Sequence, residues 1–275
     1  MNGQRLMLRQ RTRSCRMSSQ DAFLTRVRRA LHKESASPAG RPPLLWDDQH
    51  RAAAMASLPA RLTTQRPALL AQLQQELGAV GGVVGHVHSA AAAVEYVTRL
   101  ARDKDARLVV RWQSELLATL EVDAALQRQG VTVYATTASA GAARGETASA
   151  AVMLARRQEL RDVLARADLG LSGVDYVIAE TGTLVLMARA GQMRGVSLLP
   201  PVHVAVARTS QVLASLDDYL LLVQEAGLDL QRHLTSCVSL VTGPSRTGDI
   251  ELQLTIGVHG PGELHLVLLD ESTPR

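Results

Sequence analysis

Strand-like and helix-like segments alternate through the middle of the chain, and this alternation restricts the fold more than any other feature. Apolar runs at residues 80–87, 108–112 and 131–134 are typical of strands. A helix is predicted from Pro67 to Leu77. The segments between the strands, residues 89–102 and 115–129, also have the length and periodicity of helices, with Ser89 placed to cap the first of these two. Since strands joined by crossover helices run parallel, the pattern predicts a parallel sheet with right-handed connections.

The second half of the chain changes character. After a predicted helix at about 147–167, three glycine-punctuated strand-like segments with short links occupy residues 169–206, which favours hairpins, and a helix is predicted at 210–226. The interior must be aliphatic, because 46% of the residues are hydrophobic but only 3% are aromatic. The sequence therefore predicts an α/β fold with a single open, mixed but largely parallel sheet flanked by helices.

Charge and composition divide the chain into three parts. Residues 1–16 are predicted to be a disordered basic extension, residues 17–66 an N-terminal helix with a Pro-rich linker, and residues 67–275 the α/β domain. The net charge is +4, but the first 33 residues hold nine basic groups and one acidic group. The remainder holds 21 basic and 25 acidic groups, so the folded body is mildly acidic and no nucleic-acid partner is predicted.

Several other classes of protein are excluded by composition. No apolar run approaches the roughly 18 to 20 residues that span a bilayer, so no membrane span is predicted and a cytoplasmic location is expected. The only cysteines, Cys15 and Cys237, cannot supply a four-thiolate cluster or zinc site. His86 and His88 share one strand face but lack the helical spacing of known zinc motifs, so no metal site is predicted.

Two polar interruptions of apolar sequence are candidate site segments. Glu180 opens a Thr-Gly-Thr turn between strand-like runs, where a carboxylate must be paired, solvated at a cleft or shifted towards its neutral form. An ordinary hairpin turn is the alternative. His203 follows a rigid double proline at a strand start, and a hydrogen-bonded core histidine is the alternative there. The candidate ligand-binding residues of these segments are Thr181, Gly182, Thr183 and His203.

The segment from Gly243 to Asp249 is the richest in hydrogen-bonding groups. It lies between apolar runs at 237–241 and 264–269, which are predicted to be buried strands. We predict a loop followed by a helix start, whose free N–H groups would form an anion pocket, with Arg246 adding a guanidinium for carboxylate or phosphate. The alternative is a capped helix in which Arg246 pairs with Asp249 or Glu251. The candidate ligand-binding residues are Gly243, Ser245, Arg246, Thr247 and Asp249.

Four segments in a fixed order carry a resemblance to a known family. They are AETGTLV at 179–185, SLLPPVHV at 197–204, TGPSRTGDIE at 242–251 and GVHGPGELH at 257–265. On these segments the chain resembles the LUD-domain family, most strongly over residues 169–270 and more loosely over 67–167. The first sixteen residues are not covered by the resemblance.

The resemblance implies a fold similar to the sugar-phosphate isomerase and CoA-transferase-like superfamily. It also implies a role in the oxidation of L-lactate to pyruvate, as the cluster-free subunit of a system whose other members carry iron–sulfur clusters. The expected partners are therefore those iron–sulfur subunits and a small anionic ligand, with no cofactor bound by this chain.

Placed on that fold, the candidate residues form one hypothesis. Glu180, the 181–183 turn, His203, the 245–249 loop and His259 converge at the carboxyl ends of the strands, where open α/β sheets bind ligands. Glu180 or His259 would move a proton as the catalytic group. Two other functions stay open: a stand-alone CoA-transferase-like or isomerase-like enzyme acting on a small anionic metabolite, and a regulatory or scaffolding module.

Overall fold

The computed structural model describes residues 48–136, 150–225, 237–248 and 254–270. The predicted basic extension and N-terminal helix lie outside these ranges. The helices of the described ranges are α1 (Asp48–Ala79), α2 (Ala90–Asp103), α3 (Glu115–Thr119), α4 (Val122–Gln127), α5 (Ala150–Arg166) and α6 (Leu216–Glu225). The strands are β1 (Val83–Val87), β2 (Leu108–Trp112), β3 (Thr132–Thr136), β4 (Leu169–Gly173), β5 (Tyr176–Ile178), β6 (Thr183–Ala188), β7 (Val202–Arg208), β8 (Val212–Leu213), β9 (Cys237–Val241), β10 (Arg246–Gly248), β11 (Leu254–Ile256) and β12 (Glu263–Leu269).

Six parallel strands form the main sheet, in the order β1-β12-β7-β4-β2-β3. The predicted α/β class and the largely parallel open sheet are therefore confirmed. Strands β7 and β12 are interior strands of this sheet and are buried along almost their whole length, as expected of strands covered on both faces. The core is aliphatic, as the composition requires.

The antiparallel strands do not join that sheet. Strands β5 and β6 form a hairpin within a separate four-stranded sheet of order β8-β5-β6-β9, and β10 pairs with β11 in a two-stranded ribbon. The prediction of one mixed sheet is corrected here. Tight turns can join antiparallel strands, whereas parallel strands need crossover connections. All the antiparallel pairs of the described ranges lie in the two smaller sheets, and the four-stranded sheet also contains the parallel pair β5–β8.

Helix α1 begins much earlier than the sequence suggested. It runs for 32 residues through Pro59 and Pro67, so residues 48–66 are helical and not a linker, and the compact unit starts at Asp47. An interior proline costs a helix about 3 kcal/mol. Burial of one leucine contributes about 1.5–3 kcal/mol, and five leucines on one face of α1 are buried on both sides of Pro67. These leucines are Leu58, Leu62, Leu69, Leu73 and Leu77.

Most other predicted elements are present with shifted ends. Ser89 caps α2 by accepting a hydrogen bond from the Ala92 N–H at 3.1 Å, as predicted. The predicted helix at 115–129 is broken into α3 and α4, because Glu121 adopts a left-handed conformation with φ 52°. None of the helices in the described ranges combines the length and apolar composition needed to cross a bilayer.

Candidate functional site

His203 lies in the core and not in a cleft. It is the second residue of β7, in register with Gly170 and Leu264, and its side chain is fully buried. Its Nε2 lies 2.8 Å from the Ser172 hydroxyl, while Nδ1 has no hydrogen-bond partner among the described residues. Burial lowers the pKa of His203 from 6.5 to about 4, because the charged imidazolium would lose its hydration. The ring is therefore neutral at pH 7.

The turn that begins at Glu180 packs against the end of α1. The backbone N–H of Glu180 donates to the Ala214 carbonyl at 3.0 Å, and its side chain is exposed. Gly182 has φ 63°, and a Cβ there would lie 2.5 Å from the Leu77 nitrogen, so only glycine fits this approach. Next to it, three hydroxyls form a chain, with 2.6 Å between Thr181 and Thr183 and 2.7 Å between Thr183 and Thr242.

The segment after Gly243 forms a β-ribbon instead of a helix. Residues 246–248 are strand β10, in which Thr247 lies opposite Thr255 of β11, so the predicted anion pocket at a helix start is wrong. A strand here can pair with β11, whereas residues 246–248 in a helix could not. Gly243 (φ 79°) packs against Val80, and the Arg246 Nη2 donates to the Val80 carbonyl. Asp249 and Glu251 lie outside the described residues.

The loop that contains His259 is tied to Ser245 and to the double proline. The Ser245 N–H donates to the Pro261 carbonyl at 2.8 Å, and the Gly257 N–H donates to the Ser245 carbonyl at 2.9 Å. The Gly262 N–H then donates to Pro201 at 2.9 Å. These bonds are all between backbone groups, and the His259 side chain is exposed.

The predicted segments do meet, but at the wrong end of the sheet. The Thr181–Thr183 turn contacts Thr242, and Ser245 contacts the loop that precedes β12. We call the side where the parallel strands begin the amino edge, and the side where they end the carboxyl edge. Val80 lies three residues before the start of β1 and Pro201 directly precedes β7, so these contacts lie at the amino edge. The prediction that these segments converge at the carboxyl ends of the strands is wrong. The segment that begins at Thr242 follows β9, and β9 belongs to the second sheet, so this segment is not a loop at the carboxyl edge of the first sheet.

A cleft at the carboxyl edge was missed by the sequence reasoning. It has a volume of about 330 Å³ and lies where β2, β4 and β7 end. Within the main sheet, the strand that follows β2 in sequence, β3, lies on one side of β2, and the strand that follows β4, β7, lies on the opposite side of β4. Such switch points are where open α/β sheets bind ligands. The lining residues are Ser114, Glu115, Leu116, Gly173, Val174, Arg208 and Gln211.

The cleft contains a positioned cation. The Gln211 amide accepts a hydrogen bond from the Arg208 backbone N–H at 2.7 Å and donates to the Val174 carbonyl at 2.6 Å, which fixes this corner of the chain. Arg208 ends β7 and lines the cleft. Gly173 lets Ser114 approach, because a Cβ at 173 would lie 3.2 Å from the Ser114 hydroxyl. A guanidinium beside a hydroxyl suits a carboxylate.

Arg208 left a weak signal in the sequence. It ends the apolar run that begins after His203, and a cation at the carboxyl end of a buried strand is the pattern expected of a site residue. The double proline marks the start of this strand in the sequence, whereas no motif marks its end.

A second polar cluster lies at the end of β1 and β12. His86 Nε2 is 2.7 Å from one carboxylate oxygen of Asp270, and His88 Nδ1 is 2.6 Å from the other. Both imidazoles lower the pKa of Asp270 by hydrogen bonding, that of His88 being the stronger effect. Strand alternation predicts the two histidines on one face, but no local pattern indicates an aspartate 182 residues away from His88.

The architecture and the carboxyl-edge cleft together define an α/β protein with an open parallel sheet and a ligand-sized cleft at its switch point. The family model of the LUD domain matches residues 70–269, so the chain belongs to the LUD-domain family. The resemblance carried by the four sequence segments is thereby confirmed.

The chain is also similar to individual proteins. The chain is 35% identical over 117 residues to lactate utilization protein C of Macrococcus caseolyticus, which covers 42% of this chain and 50% of that protein. It is 30% identical over 165 residues to lactate utilization protein C of Halalkalibacterium halodurans, covering 60% and 64%. The chain thus spans about half to under two thirds of these relatives. A crystal structure of a DUF162 family protein from Deinococcus radiodurans is similar, with 20% identity, a TM-score of 0.47, and coverage of 74% and 98%.

Proposed function

We propose that this protein is a component of an L-lactate utilisation system. Membership of the LUD-domain family supports the proposal, as do relatives from several bacteria that are named lactate utilization protein C. In this proposal the chain supports the oxidation of L-lactate to pyruvate. The proposal includes a cytoplasmic location, where reduced thiols suit partners that carry iron–sulfur clusters.

The electrons would be carried by partner subunits. Oxidation of lactate to pyruvate releases two electrons and two protons, and this sequence has two cysteines, fewer than the four that hold a common iron–sulfur cluster. Iron–sulfur partner subunits would therefore accept the electrons, and the role of this chain would be to bind a small anionic ligand or to hold the assembly together.

The position of Arg208 in the lining of the carboxyl-edge cleft is the observation that carries the ligand-binding role. Lactate and pyruvate each have one carboxylate, which an arginine can bind through two parallel hydrogen bonds. The Ser114 hydroxyl stands beside Gly173 at the same cleft and can bond the second polar group of such a ligand. A cleft of about 330 Å³ is large enough for a three-carbon acid with bound water.

The residues predicted from sequence keep a different place in this proposal. Glu180 and His259 are exposed at the amino edge. There they would contact a partner subunit or transfer a proton to one of its groups. His203 and the Gly243–Arg246 segment would position these groups by holding the loops together, because their described contacts are with other parts of the chain.

Replacement of Arg208 tests the ligand-binding role. We expect Arg208→Met to abolish lactate-dependent growth of a bacterial strain that lacks its own copy of this subunit, while Arg208→Lys restores part of it. Arg107→Met is the matched control, since Arg107 is exposed just before β2 at the opposite edge of the sheet. Growth of the Arg208→Met strain at the rate of the wild type, with equal protein levels, would remove Arg208 from the proposal.

An assembly role has its own supporting observation. Leu240 of the edge strand β9 is 52% exposed, and Leu254 and Ile256 of the ribbon are 59% and 55% exposed. Exposed apolar side chains grouped on strands are typical of protein interfaces. Co-purification of the tagged chain with two cysteine-rich subunits, lost in Leu240→Asp but kept in Arg208→Met, would favour assembly. Turnover of a small acid by the isolated chain would favour a stand-alone enzyme instead.

A further inference from the structure

The pairing of the edge strand β1 with its neighbour β12 sets three metal-ligand side chains on one face. His86 lies opposite Leu268 in the parallel ladder, and Val87 lies opposite Leu269. The Asp270 N–H donates to the Val87 carbonyl at 3.0 Å, so the ladder continues one residue past β12. Because side chains alternate along a strand, His86, His88 and Asp270 all point to the same side.

The three side chains are close enough to share one ion. Their donor atoms all lie within 4.8 Å of one another. Ligand atoms around a tetrahedral zinc ion are about 3.4 Å apart when the bonds are about 2.1 Å long, so small rotations of the side chains would complete the geometry. His88 is 78% exposed, which leaves it free to make such a rotation. We propose that His86, His88 and Asp270 bind a divalent transition-metal ion of the zinc class.

The ligand types select the metal. Two imidazole nitrogens with one carboxylate oxygen suit zinc, cobalt or nickel, whereas magnesium and calcium require oxygen ligands. Three protein ligands also leave at least one coordination position open, which is the arrangement of catalytic and not of structural zinc sites. The site therefore takes a metal ion together with an exchangeable fourth ligand.

A groove beside the cluster provides a place for that fourth ligand. It has a volume of about 580 Å³, runs between α1 and the face of β1, and has His86 as one of its lining residues. Its floor includes the apolar side chains of Leu70 and Leu268. Arg66 also lines the groove, and its guanidinium has no hydrogen-bond partner in the described ranges. A small molecule with an oxygen anion at one end and an apolar body fits this combination.

Metal titration of the full chain tests the site. After treatment with a chelator, we expect the wild type to bind one equivalent of Zn²⁺ in calorimetry and to give the visible absorption of a nitrogen- and oxygen-bound ion when Co²⁺ is added. His88→Ala and Asp270→Asn should each weaken Zn²⁺ binding by at least about tenfold, the lower bound seen when even an outer-shell partner is removed. All three side chains are at least one third exposed, so the variants should fold, which circular dichroism checks.

A second histidine variant controls for adventitious binding. His50 is exposed on α1, sixteen residues before Arg66 and therefore about 24 Å away along the helix. His50→Ala should bind Zn²⁺ with the affinity of the wild type. Equal affinity in the wild type, His88→Ala and Asp270→Asn would overturn the proposal. Neither readout depends on lactate, so its failure is separate from a failure of the proposed function.

Discussion

Protonation of His203 should make the protein strongly sensitive to mild acid. The ring is fully buried, and its pKa is about 4 in the folded protein but 6.5 when it is hydrated. Between these pH values the unfolded chain binds a proton that the folded protein does not, so unfolding becomes more favourable as the pH falls. The stability that the neutral ring contributes is fully present above pH 6.5 and is lost as the pH falls towards 4.

The size of the loss follows from the two pKa values. Each pKa unit of difference corresponds to about 1.4 kcal/mol. Proton linkage then gives a loss of about 2 kcal/mol at pH 5 and about 3 kcal/mol at pH 4 from His203 alone. A typical domain has a free energy of unfolding of about 5–15 kcal/mol, so protonation of His203 alone would remove a substantial part of that free energy.

Urea unfolding at a series of pH values measures the effect. Other groups also titrate in acid, so the useful quantity is the difference between the wild type and His203→Gln, a neutral side chain of similar volume that can still bond the Ser172 hydroxyl. Between pH 7.5 and 4, the wild type should lose about 3 kcal/mol more than the variant. Equal losses of unfolding free energy in the two proteins would refute the claim that His203 is buried in a neutral form.

Three further substitutions test the fold. Gly170→Ala would place a Cβ 1.9 Å from the Val196 carbonyl oxygen, and we expect it to destabilise the protein by more than about 3 kcal/mol in urea unfolding or to prevent soluble expression. Gly182→Ala combines a left-handed backbone with a contact of 2.5 Å to Leu77, so its melting temperature should fall by an amount equivalent to about 2–3 kcal/mol. Ser89→Ala removes the cap of α2 and should cost about 1 kcal/mol by the same measurement, whereas an unchanged melting temperature would contradict the cap.

Local patterns were enough to predict the parallel sheet. Strand β2 was predicted with its observed ends, and the Ser89 cap was predicted from a polar residue before an apolar-periodic segment. Both depend on neighbours in sequence. The family was also recognisable, because the order of four segments is itself a property of the sequence.

Features that depend on distant residues were not predictable. Pro67 suggested a helix start, and only the burial of leucines on both sides of it shows why α1 continues. The segment after Gly243 has the residues of a helix start, and the sequence does not show that residues 246–248 pair with β11 instead. The candidate residues were placed at the carboxyl edge because nothing in the sequence says that β9 belongs to a second sheet.

The order of strands in the main sheet has a consequence for synthesis of the chain. Strand β1 lies at the sheet's edge and is paired there with β12, the last strand described. Since 182 residues separate His88 from Asp270, a ribosome that adds about 5–20 residues per second needs roughly 10 to 40 s to deliver the partner of β1. For that time the backbone of β1 stays unpaired, and one edge of β7 is unpaired from the synthesis of β7 until β12 emerges, which invites aggregation. The nascent chain is therefore expected to need a chaperone until β12 emerges.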